Sequence, residues 1–69
     1  MSLQTFAPVH AIHDLYQGPN RVKRGWHGTV VNSFPNWSST TYSVEFAPPD
    51  LPGATLTMSG LTEADVQPD

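Results

Sequence analysis

From Tyr42 to Phe46 the chain alternates, with Tyr42, Val44 and Phe46 on one side and Ser43 and Glu45 on the other. This is the period-two pattern of a strand with one buried face. The stretch leading into it, Asn36 to Ala47, is the longest in the chain without proline or glycine, and its β-branched and aromatic content predicts the clearest strand. Gly53–Ser59 repeats the alternation, Ala54, Leu56 and Met58 against Thr55, Thr57 and Ser59, between the turn formers Pro52–Gly53 and Gly60. Trp26–Phe34 reads as another strand, opened by Gly25 and closed by Pro35, in which Gly28 marks a close backbone approach or a bulge. Val9–Leu15 carries apolar and polar residues on both faces and predicts a weaker edge or bent strand. Near the end, Thr62 followed by Glu63, Ala64 and Asp65 has the form of a capped helix start. Pro68 limits it to one 3₁₀ turn, with a terminal strand residue around Val66.

Composition narrows the architecture. Seven prolines and five glycines in 69 residues leave no room for a long helix, so short strands joined by turns predict an all-β domain. A small closed or half-closed barrel of four or five antiparallel strands is the expected form, because closure hides strand edges. A chain this short encloses one core, so residues 1–69 form a single domain, with residues 1–7 expected as a flexible N-terminal arm. So small a core barely offsets the entropy of ordering the chain, and self-association is the cheapest supplement. The absence of cysteine excludes disulfide scaffolds, thiolate zinc sites and cysteine nucleophiles. No apolar run is long enough to span a bilayer, and Met1–Phe6 lacks the pattern of a secretion signal, so a soluble, cytoplasmic protein with no membrane partner is expected.

The block Arg24-Gly25-Trp26-His27-Gly28-Thr29-Val30-Val31, then Tyr42-Ser43-Val44-Glu45-Phe46, then Gly53-Ala54-Thr55-Leu56, resembles a small bacterial family of SH3-like barrels. That family shares RGxxGTVV, YxVEF, a G-x-T-hydrophobic step and a closing T-x-x-D-[LV], met here by Thr62, Asp65 and Val66. The likeness covers roughly residues 9 to 67 and implies an SH3-like barrel. The family has no assigned activity, so no catalytic residue transfers. The glycine-hinged strand is also similar, more loosely, to the KOW-type barrels of ribosomal and transcription-elongation proteins and to plasmid-borne dihydrofolate reductases that tetramerise around a pore. One departure stands out: Phe34–Thr40 looks longer than the family's usual short turn.

All three cations, Arg21, Lys23 and Arg24, fall within four positions, and every charged residue after Arg24 is acidic. They form either a solvated loop or a small cationic spot for a phosphate or an acidic partner, a second copy included. Nucleic-acid binding is disfavoured, because affinity rests on neutralising several phosphates and this chain has a net charge of −3. Of the seven aromatics, Tyr42 and Phe46 belong to a core face and Trp26 to one end of the barrel. Tyr16, beside Gly18–Pro19, and Trp37, among Asn, Ser and Thr, are candidate loop anchors for a partner, with Trp37 alternatively folded back as a lid.

Three histidines raise the question of a metal. Residues three apart on a strand point to opposite faces, so His10 and His13 do not chelate one ion unless the strand is broken, and His27 reaches either only through tertiary pairing. No metal or cofactor is expected. Asn36-Trp37-Ser38 matches a glycosylation acceptor by chance, given no secretion signal. No serine sits in a G-x-S-x-G elbow, and Gly25-x-x-Gly28 is followed by no Lys-Ser/Thr. The reductases' Val-Gln-Ile-Tyr run is replaced by Thr55-Leu56-Thr57-Met58, which removes the basis for that cofactor site. The expected function is therefore a non-enzymatic, self-associating protein-interaction module presenting Tyr16, Arg21, Lys23, Arg24 and Trp37. An oligomeric small-molecule or enzymatic site shared between chains is the alternative, and KOW-like nucleic-acid binding ranks last.

Overall fold

A computed structural model describes residues 3–69. The chain is all-β. Among the described residues seven strands form, β1 (Pro8–Ala11), β2 (Leu15–Gln17), β3 (Asn20–Val22), β4 (His27–Pro35), β5 (Thr40–Phe46), β6 (Leu56–Leu61) and β7 (Val66–Pro68). Five of them make an antiparallel sheet in the order β6-β5-β4-β1-β7, while β2 and β3 form a separate hairpin within the connection from β1 to β4. The sheet wraps one core without closing: β6 and β7 are its two edges and do not pair with each other. The expected all-β, antiparallel architecture is observed, and a closed barrel is not.

The alternation expected for β5 decides where the core sits. Tyr42, Val44 and Phe46 are fully buried, and facing them are Val9 and Ala11 from β1, Val30 from β4, Met58 and Leu61 from β6, and Val66 from β7. Leu15 and Val22, the first residue of β2 and the last of β3, join the same cluster, and Trp26 packs half-buried against it. Gly28 marks the close approach and not the bulge. A Cβ there would lie 2.8 Å from the Glu45 carbonyl oxygen and 2.9 Å from side-chain carbons of Val44 and Phe46. The bulge falls further along the strand, where the β4–β5 register shifts between Val30 and Asn32.

Several boundaries differ from the sequence reading. Val9–Leu15 is not one bent strand: β1 stops at Ala11, and Leu15 opens the β2–β3 hairpin, which the hydrophobic pattern does not announce. Its turn is Gly18–Pro19, with Gly18 at φ 58. Proline at the second turn position cannot take a positive φ, which excludes type I′ and leaves type II′, the turn with glycine first. Gly53–Thr55 stays outside the sheet, and β6 starts only at Leu56. Residues 62–65, by contrast, make the single turn expected there, closed by Asp65 N–H donating to the Thr62 carbonyl at 2.9 Å. The cap itself is as expected: Ala64 N–H donates to Thr62 Oγ1 (3.2 Å), and Thr62 N–H donates to Asp65 Oδ2 (3.0 Å).

Of the N-terminal arm expected over residues 1–7, Met1 and Ser2 lie outside the described residues. Leu3 N–H donates to the buried Tyr42 hydroxyl at 3.0 Å, Phe6 N–H bonds the Val30 carbonyl, and Val30 N–H bonds the Ala7 carbonyl at 3.0 Å. Residues 3–7 are therefore tied to β4 and β5 and do not hang free of them.

One side chain guards the open edge. The Gln17 amide donates to the Ser59 carbonyl at 2.7 Å and accepts from Ser59 N–H at 3.2 Å, pairing with β6 as a further peptide unit would. It thereby satisfies the backbone where the β5–β6 register shifts, beside the Ser43–Ser59 hydroxyl contact of 3.0 Å. Replacing Gln17 by Ala is expected to cost about 1 kcal/mol, since two solvent-accessible hydrogen bonds are lost together. Urea denaturation measures this, and an unchanged midpoint would show that water substitutes fully for the amide.

Candidate functional site

The strands gather the residues singled out in the sequence into two separate places. Tyr16 and Arg21 are direct cross-strand partners on the β2–β3 hairpin, so their side chains share one face. Val22 is buried, which turns Arg21 and Lys23 together away from the core, and Tyr16 remains 69% exposed. Arg24 follows in the turn to β4, its backbone N–H bonded to Asp14 Oδ1 at 2.8 Å. Among the described residues none of the three cations forms an ion pair.

Trp37 stands apart, on the β4–β5 hairpin. Those strands pair as far as Pro35 and Thr40, so the segment that looked like a long loop is a four-residue turn, Asn36–Ser39, at the end of an extended ribbon. Phe34 to Ser39 are all exposed, and Trp37 is 102% exposed. It is not a lid on the core. Its backbone N–H donates to Asn36 Oδ1 at 2.7 Å, a local bond that holds the tip in shape without sheltering the indole.

A third place was missed in the sequence. Register pairs His10 with His27 across β1 and β4, with ring centroids 6.1 Å apart. Asp69, just beyond β7, lies between them: its two carboxylate oxygens accept from Nδ1 of His10 (2.8 Å) and Nδ1 of His27 (3.1 Å). The His10 bond, with His27 adding to it, lowers the Asp69 pKa from its ordinary value against a partial loss of solvation. His27 and Asp69 border an open groove of about 320 Å³, whose other walls include Thr29, Glu45, Phe46 and Thr55.

His13 makes a different arrangement. Its Nδ1 bonds the Asp14 carbonyl at 2.9 Å and its Nε2 bonds Asp65 Oδ1 at 3.0 Å. Both partners only accept, and only the imidazolium can donate from both nitrogens, so this geometry selects the charged ring. The His13 pKa is accordingly raised, mainly by the Asp14 carbonyl, with partial desolvation opposing and the Asp65 carboxylate assisting. Among the described residues no group of three or more histidine and acidic side chains is arranged to hold a metal ion. Nor is any helix long and apolar enough to cross a membrane. No protein-family model, no curated protein and no solved structure matches the chain.

Proposed function

We propose that this chain is a non-enzymatic protein-interaction module of SH3-like form that associates with further copies of itself. The observation that carries the reading is the fully exposed Trp37 at the tip of the β4–β5 ribbon. An indole is a large apolar surface, and an isolated ribbon end gives it nothing to pack on within its own chain. Buried aromatic anchors supply most of the free energy at protein interfaces, and Trp, Tyr and Arg are the residues enriched there. Tyr16 with Arg21, beside Lys23 and Arg24, offers a second surface of that composition and of opposite sign to the acidic remainder of the chain. The strand order β6-β5-β4-β1-β7, with a hairpin inside the first connection, supports the SH3-like assignment.

Trp37→Ala tests the reading. Self-association, followed by sedimentation equilibrium over a wide concentration range, is expected to weaken at least tenfold, in line with roughly 2 kcal/mol or more for an aromatic anchor. Thermal stability should change little, since surface substitutions usually stay within about 0.5 kcal/mol. A wild-type chain that stays strictly monomeric would remove self-association. An unchanged association constant with a lowered melting temperature would make Trp37 a structural residue. The groove beside His27 favours a second reading, a small-molecule site completed by a neighbouring copy, and that reading too requires an oligomer.

A further inference from the structure

All three histidines of the chain face carboxylates of one short segment. His13 bonds Asp65 immediately before β7, and His10 and His27 bond Asp69 immediately after it. The strand between those two aspartates has little else to hold it. β7 is three residues long, sits at the sheet edge, pairs only with β1 and buries a single side chain, Val66. Beyond the short ladder that pairs Val9, His10 and Ala11 with Pro68, Gln67 and Val66, the segment is closed on β1 by Ile12 N–H to the Asp65 carbonyl and Asp69 N–H to the Pro8 carbonyl, both 3.1 Å.

We propose that residues 62–69 form a proton-gated strap: the His13 imidazolium, bonded through both ring nitrogens, holds Asp65 and with it β7 on β1, and the strap opens the β1 edge when that ring is neutral. The groups facing each histidine give the sign. His10 meets Asp69 and the neighbouring His27, with Glu45 of β5 across the groove that His27 and Asp69 border. His13 meets Asp65 and the Asp14 carbonyl, while the Asp14 carboxylate is engaged by Arg24 N–H and Glu63 lies in the same turn as Asp65. Around His13 the bonded groups are a carboxylate and a carbonyl oxygen, so protonation of that ring tightens the strap. The raised His13 pKa agrees with this direction, and the lowered Asp69 pKa keeps that carboxylate ionised into mild acid.

The hold is fully present below the ordinary histidine value near 6.5 and is lost as pH rises through the raised pKa of His13. When His13 loses its proton it must give up one of its two bonds. The pair is partly exposed, which keeps its contribution modest, and its effect on opening is expected to be no more than about tenfold.

Amide hydrogen exchange by NMR, corrected for intrinsic rates, tests the strap at pH 5.5 and pH 8. Ile12 and Asp69 report β7 opening, and Val44, in the β4–β5 ladder, reports opening of the body of the sheet. Protection at Ile12 and Asp69 is expected to fall by up to about tenfold at the higher pH, with Val44 unchanged. A variant carrying His13→Gln should lose that dependence. Equal protection at both pH values, a parallel fall at Val44, or a pH dependence that persists in the variant would each overturn the proposal. The wild-type comparison decides by itself if the variant does not fold.

Discussion

Gly28→Ala is expected to lower the melting temperature by roughly 8–16 °C, about 2 kcal/mol at some 4–8 °C per kcal/mol for a domain of this size. The added methyl has no room: it meets the Glu45 carbonyl oxygen at 2.8 Å and the Val44 and Phe46 side chains at 2.9 Å. A carbonyl already in the sheet and a β-branched methyl cannot swing aside as a long flexible side chain would, so β4 and β5 must move apart where they carry the core. Alanine's smaller unfolded-state entropy returns only about 0.4–1 kcal/mol. Gly53→Ala is the control. No atom lies within 4 Å of its Cβ position, and only its φ of 86° resists substitution. Equal melting temperatures for wild type and Gly28→Ala would show that the two strands separate there freely.

Gly28 was legible because its message is local: a glycine inside a β-branched run has few reasons to be there. The Tyr42, Val44, Phe46 face and the Thr62 cap were legible on the same ground, each written within a handful of consecutive residues. What escaped depends on pairing between distant segments. His10 and His27 meet only because β1 and β4 adopt one register, and Asp69 joins them only because β7 lies on the other side of β1. Shifting either register by one residue would send those side chains to opposite faces. The β2–β3 hairpin hid for another reason: each strand has three residues and one buried side chain, too few to show a period. Its cations read as a solvated loop, although Leu15 and Val22 flanking Gly18–Pro19 was the available signal. Whether Trp37 folds back or stands out turned on how far β4 and β5 continue past the core, which no local pattern encodes.

Phe46→Ala is expected to cost about 3–5 kcal/mol, the largest effect of any single substitution considered for this chain. At roughly 0.05–0.15 kcal/mol per residue, that approaches the stability of the whole domain. Phe46 is fully buried, pairs with both Gly28 and Leu56, and backs the groove beside His27, so its removal opens a void where β4, β5 and β6 meet. Its ring also supplies one of the three contacts that make Gly28 obligatory. Combining the two substitutions should therefore cost less than their sum, by about 1 kcal/mol, because the methyl added at position 28 can lean into the space the ring vacated. The penalty does not vanish, since the Glu45 carbonyl and the Val44 methyl stay in place. Urea midpoints measured in a stabilising osmolyte, which keeps a folded baseline for the weaker variants, provide the cycle. Strict additivity would mean that the Glu45 carbonyl and the Val44 methyl, not the Phe46 ring, set the requirement for glycine.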